Sequence, residues 1–138
     1  MNSNSAGPFN LAETGLILRT DAAIDPVRID EQFWRQLMAG DLGNFHNEYL
    51  VVVNEFSSDW PIWENHPNGD EIVCLLSGRV TLRLELDGKY KDMQLAASGD
   101  YARIPRGTWH TALTDTNCRM LFITAGEGTL HRPAGDDN

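Results

Sequence analysis

The chain has 138 residues, 41% of them hydrophobic and 22% charged, with a formal net charge of −9. That length suits one domain with its own core, and the acidic balance argues against a nucleic-acid surface or an anionic membrane as partner. No apolar run approaches the ~20 residues of a membrane helix. The opening MNSNSAGPFN has neither the basic nor the apolar region of a secretory signal, and the 2 cysteines, Cys74 and Cys118, are too few for a disulfide framework. These features predict a cytoplasmic protein with free thiols.

Residues 1–15, rich in Asn, Ser and Gly, are expected to be flexible. Leu16-Ile17-Leu18 is a short apolar run, suited to an edge strand or to contact with a partner subunit, and Asp25-Pro26 signals a turn. Asp30 is placed to cap a short helix running through Met38. Phe33, Trp34, Leu37 and Met38 share one face of that helix, and Gly40 stands just beyond its end.

From Tyr49 the period changes to two. The Val-rich run Tyr49 to Phe56 predicts a strand. Trp60 to His66 follows, then a Pro67-Asn68-Gly69-Asp70 turn in which Gly69 is expected to supply a positive φ. Glu71 to Leu76 is a mostly apolar strand. Arg79 to Leu86 alternates strictly, with Val80, Leu82, Leu84 and Leu86 on one face. Asp87-Gly88 is a hairpin signal leading into Tyr90 to Leu95. Tyr101 to Ile104, Trp109 to Leu113 and Arg119 to Thr124 complete the series. The Gly-, Pro- and Asp-containing segment 127–138 is expected to be a flexible tail. Short strands at regular spacing without helix-length crossovers predict an antiparallel sandwich or barrel. The domain is placed at 16–126 and its barrel core at about 48–125.

Chemistry concentrates in two stretches. In Trp60 to Gly78, Glu64 and His66 lie two apart and share a strand face, and Glu71 opens the next strand across the Pro67–Asp70 turn. In Gly99 to Thr114, His110 follows a Pro-x-Gly turn. Two imidazoles with one or both carboxylates suit a divalent transition metal: Fe(II), Mn, Zn or Ni. Trp60 shares the parity of Glu64 and is a candidate pocket wall, whereas Trp63 and Trp109 have the opposite parity and are expected outside the barrel. Cys74 alternates away from Glu71 and Val73. His46 is read as a surface residue and His131 as a tail residue, either within reach of the barrel mouth, and Arg103 and Arg106 as a solvated rim or, in the alternative, a contact for an anionic substrate.

The two stretches together resemble the cupin superfamily of double-stranded β-helix, or jelly-roll, proteins. Glu64-x-His66, four residues, Glu71, six residues and Gly78 match the frame of its first motif, and Gly99, Pro105, Gly107 and His110 that of its second. Glu64 stands where the family usually has its first histidine, Ser58 where the first motif begins with Gly, and Thr114 where the second closes with Asn. The resemblance implies an all-β barrel with a short N-terminal helix. It also implies metal-ligand roles for His66, Glu71 and His110, joined by Glu64 if a carboxylate replaces an imidazole. Otherwise Glu64 is a carboxylate poised beside the metal as a general base. A small-molecule enzyme of dioxygenase, isomerase or decarboxylase type follows from the resemblance, and a non-catalytic binding or sensing module is the alternative. A homodimer is expected, with Leu16–Leu18 and the Phe33/Trp34 helix available for its interface.

Overall fold

A computed structural model describes residues 5–135. Within them the chain forms β1 (Thr14–Leu18), β2 (Ile24–Arg28), α1 (Glu31–Ala39), β3 (Tyr49–Phe56), β4 (Ile62–Asn65) and β5 (Glu71–Ser77). There follow β6 (Val80–Leu86), β7 (Lys89–Leu95), β8 (Tyr101–Ile104), β9 (His110–Leu113), β10 (Cys118–Thr124) and β11 (Leu130–Pro133). The strands make two sheets, in the orders β2-β1-β3-β10-β5-β8 and β11-β4-β9-β6-β7. Every pairing in both is antiparallel, and the sheets close over one another as a jelly-roll barrel.

Alternation decides which side chains fill the barrel. Val73 and Leu75 on β5, Val80, Leu82 and Leu84 on β6, and Met120 and Phe122 on β10 point inward and are buried, while their neighbours are partly exposed. Cys74 is among those outward neighbours, as its parity predicts, and both cysteines are free. The β6–β7 hairpin turns on Asp87 and Gly88, at φ 53° and 76°. Positive φ at both central residues matches the twist of the flanking strands.

The helix forms as its caps dictate. The Asp30 carboxylate accepts the Phe33 N–H at 2.8 Å, and Gly40 ends the helix in the left-handed region at φ 78°. Phe33 is buried, and Trp34 and Leu37 pack on the barrel core. Part of the face considered for a dimer interface is thus used within the chain. No helix among the described residues is long and apolar enough to cross a membrane.

Several local expectations are corrected. Asp25-Pro26 is not a turn but part of β2, where Pro26 sits on the outer strand of its sheet, a position that needs no N–H. The turn comes earlier, at Arg19–Ala23, with Ala22 at φ 72°. β1 is therefore an interior strand between β2 and β3 rather than an edge. Gly69 does not adopt a positive φ; a Cβ there would collide with the Ala125 side chain, so its constraint is close packing. Thr14 and Gly15, placed in the flexible N-terminus, open β1, and residues 130–133, placed in the flexible tail, pair with β4 as β11. The rest of those two predictions includes residues 1–4 and 136–138, which lie outside the described residues.

Candidate metal centre

Three elements bring the candidate ligands together. Glu71 is the first inward residue of β5, His110 the first residue of β9, and His66 directly follows β4. The two motif turns are tied to each other: Gly107 N–H donates to the His66 carbonyl at 3.1 Å, and the Asn65 amide donates to the Gly107 carbonyl at 3.2 Å. His66, Glu71 and His110 are each less than 5% exposed. Glu71 lies between the imidazoles, with Oε2 3.4 Å from His66 Nε2 and Oε1 3.0 Å from His110 Nε2.

The outer hydrogen bonds fix which nitrogens face inward. His110 Nδ1 lies 3.0 Å from the Thr108 carbonyl, which can only accept, so Nδ1 carries the proton. The Thr129 hydroxyl donates to the Gly126 carbonyl at 3.0 Å and therefore accepts from His66 Nδ1 at 2.9 Å. Both imidazoles then turn Nε2 toward Glu71. The Thr124 hydroxyl donates to Glu71 Oε2 at 2.6 Å. What remains is a set of buried polar atoms without hydrogen bonds: Nε2 of His66, Nε2 of His110 and Oε1 of Glu71.

A buried carboxylate and two Nε2 atoms at these distances call for positive charge among them. Ligand atoms ~2.1 Å from a shared metal are about 3.0 Å apart at right angles and about 3.4 Å apart at the tetrahedral angle; each imidazole nitrogen lies that far from one Glu71 oxygen, His110 from Oε1 and His66 from Oε2. The titration of the bare groups points the same way. Burial alone pushes the Glu71 carboxyl up, but the His110 and His66 imidazoles outweigh it and hold the group down, at about 2. Burial likewise pushes His110 down, yet contact with Glu71 leaves it raised. The pocket favours positive charge at this point, and two imidazoles with neighbouring carboxylates are a donor set that suits a divalent transition metal.

Glu64 is on the same side. One Glu64 oxygen and one ring nitrogen each of His66 and His110 lie within 4.8 Å of one another, a trio placed to hold a metal, while Glu71 approaches both imidazoles more closely. Its Oε2 is 3.2 Å from His131 Nε2. This corrects the reading of His131 as a tail residue: β11 places it directly opposite Glu64, and contact with Glu64 is the main cause of its raised pKa. Arg132 secures that strand on the outer face, its guanidinium 5.0 Å from the Trp63 ring centre and 4.6 Å from that of Trp109, and paired with Glu85. Trp63 and Trp109 are therefore outside the barrel, as parity predicts, with a cover supplied by the chain itself.

A cavity of about 540 Å³ adjoins the centre. Trp34, Phe45, Leu50, Val52, Trp60 and Phe122 supply apolar walls, and Glu64, His66, Glu71, Thr124, Thr129 and His131 a polar end. Trp60 thus lines the pocket as expected. His46 is a surface residue paired with Glu127. Arg103 and Arg106 pair with Asp70 and are 63% and 65% exposed, a solvated rim. Thr114, in the place of the family's Asn, closes its turn by bonding the Arg79 carbonyl at 2.8 Å. The sequence reading missed Thr108, Thr124 and Thr129, whose spacing carries no signal. It also missed His131, whose signal was the possibility of one more short strand after Gly128.

The profile of the cupin domain family matches residues 51–132, and the chain belongs to that family. No curated protein sequence matches it. Similar solved structures include a cupin-2 domain containing protein from Shewanella frigidimarina, 18% identical over 62% of this chain and 70% of that one, at a TM-score of 0.46. Oxalate oxidase is 17% identical over 59% of this chain and 45% of its own, at 0.51. Hydroquinone 1,2-dioxygenase from Sphingomonas sp. TTNP3 is 16% identical over 55% and 58%, at 0.47. At 17% identity the likeness to oxalate oxidase carries the fold alone.

Proposed function

We propose that this cupin holds a divalent transition metal (Fe, Mn, Zn or Ni) through His66, Glu71 and His110 and acts on a small molecule in the adjoining cavity, as an enzyme of dioxygenase or isomerase type. The observation that carries the reading is the buried, unpartnered trio of Nε2, Nε2 and Oε1. Bound there, the metal would supply a Lewis-acid centre with open positions, redox-active if it is iron. The chain's residues do the rest. Thr108, Thr124 and Thr129 hold the ligands in register. The apolar walls exclude water from the substrate's reacting end.

Glu64 is the candidate base, since its carboxylate lies beside the centre and is hydrogen-bonded to the partly exposed His131, which can pass a proton to solvent. If Glu64 ligates as well, two carboxylates leave the centre near neutral, a weaker Lewis acid. That charge balance favours the second reading, a cupin that binds or senses a small molecule without turning it over. Elemental analysis after anaerobic purification tests both: absence of stoichiometric metal, together with a melting temperature that added metal does not change, would remove the metal from either.

A further inference from the structure

We propose that the cavity takes a ring-bearing small molecule that carries no negative charge, its flat side against Trp34, Phe45, Trp60 and Phe122 and its polar group toward Glu64 and His131. This deepens the proposed function by naming the substrate class of the same site, yet its argument does not depend on which metal is bound.

The first observation is charge. Among the described residues no Lys or Arg lines the cavity, whereas two carboxylates, Glu64 and Glu71, do. Each imidazole is already turned to a carboxylate: His66 and His110 to Glu71, His131 to Glu64. The nearby Arg103 and Arg106 are spent on Asp70 at the solvated rim. An anion entering would lose its hydration and find no Lys or Arg to replace it, while any metal at the centre has its charge offset by the Glu64 and Glu71 carboxylates, inside a chain of net charge −9. The second observation is shape. Trp60 and Phe122 stand 5.9 Å apart between ring centres at 36°, and Trp60 meets Phe56 at 5.6 Å, so the indole is held by its neighbours as a fixed wall. Such walls favour offset stacking with another ring. A volume near 540 Å³ is ordinary for a small-molecule site and has room for one or two fused rings. Trp34 reaches the cavity from α1, so the helix completes the enclosure.

The test uses three matched probes, 2-naphthalenemethanol, 2-naphthylmethylamine and 2-naphthoate, titrated calorimetrically into the protein as purified and after chelation. The alcohol and the amine are expected to bind, with naphthoate at least tenfold weaker in both preparations. Trp60→Ala and Trp34→Ala, each checked for folding by circular dichroism, should weaken the alcohol at least fivefold without changing metal content. Naphthoate binding as tightly as the alcohol in either preparation, or no binding by any probe, overturns the assignment. So does unchanged affinity in both folded variants. Metal content measured on the same samples keeps the two readings apart: protein that holds no metal but orders the probes as expected refutes the metal and supports the cavity assignment.

Discussion

Replacing Thr124 by Val removes one hydroxyl and little volume. That hydroxyl donates to Glu71 Oε2 at 2.6 Å, on a carboxylate 3% exposed. The oxygen is buried, so it loses a hydrogen bond to a charged group, worth about 1.5–3 kcal/mol. At 1.4 kcal/mol per tenfold, zinc affinity should fall about 10- to 100-fold, the range typical of a lost outer partner at a metal site. The assay is competition for zinc against a chromophoric chelator, with a thermal melt of each chelated protein. Thr111→Val is the control. Its hydroxyl donates to the Ile62 carbonyl at 2.8 Å rather than to any of the three ligands, so it should cost roughly 1 kcal/mol of stability and leave zinc affinity alone. A Thr124→Val protein that binds zinc within twofold of wild type would refute the claim that Glu71 is an oriented ligand. Equal losses in both variants would refute it as well.

Three further outcomes follow from the packing. Arg132→Ala removes contacts with two indoles and the Glu85 pair and should destabilise by about 2 kcal/mol in urea unfolding; no change would mean β11 is not secured from the outer face. Gly78→Ala forces a Cβ onto a residue at φ 82° and against the Asn117 carbonyl, so about 2–4 kcal/mol should be lost, read as a lower melting temperature. Asp100 is held below its usual pKa by the Ala97 and Ala96 N–H groups. Its folded value lies below its unfolded one, so its contribution is present above the unfolded pKa and is lost as pH falls through the folded one. Asp100→Asn should therefore show a shallower fall in melting temperature between about pH 5 and 3, and a slope equal to that of wild type would refute the assignment.

The barrel was legible because a closed two-faced shell imposes alternation on each strand. Val80, Leu82 and Leu84 are buried while Thr81, Arg83 and Glu85 are not, and that pattern is visible before any coordinates. The helix was legible through Asp30 and Gly40, whose side-chain chemistry is local. The errors fall where tertiary context overrides a local signal. Pro26 marks a turn in most settings, but the outer strand of a sheet accepts it equally well. Leu130–Pro133 is too short and polar to predict a strand, and forms one because β4 offers an unpaired edge and two indoles receive Arg132. Hydroxyls such as that of Thr124 leave no periodic trace, since their partners are fixed only once distant strands pair.

Glu64 is where sequence and structure inform each other most. Seen alone, it is a departure from a family pattern that usually has histidine there. In the sheet order β11-β4-β9 its strand is central, and its two cross-strand neighbours are His131 and His110. The carboxylate thus stands between imidazoles on both sides, and β11 adds a third imidazole to the pocket from a part of the chain outside both motifs. Bonded to His131 through Oε2, Glu64 still has an oxygen within 4.8 Å of the His66 and His110 ring nitrogens, but Glu71 lies nearer to both. Glu64→Gln keeps the shape and can still bond to His131 through its carbonyl, but it cannot take a proton or donate charge to a metal. Zinc affinity within about threefold of wild type, with any turnover lost, is therefore the expected result. A drop of tenfold or more (about 1.4 kcal/mol) would instead make Glu64 a ligand, and the neutral centre that follows would favour binding over catalysis.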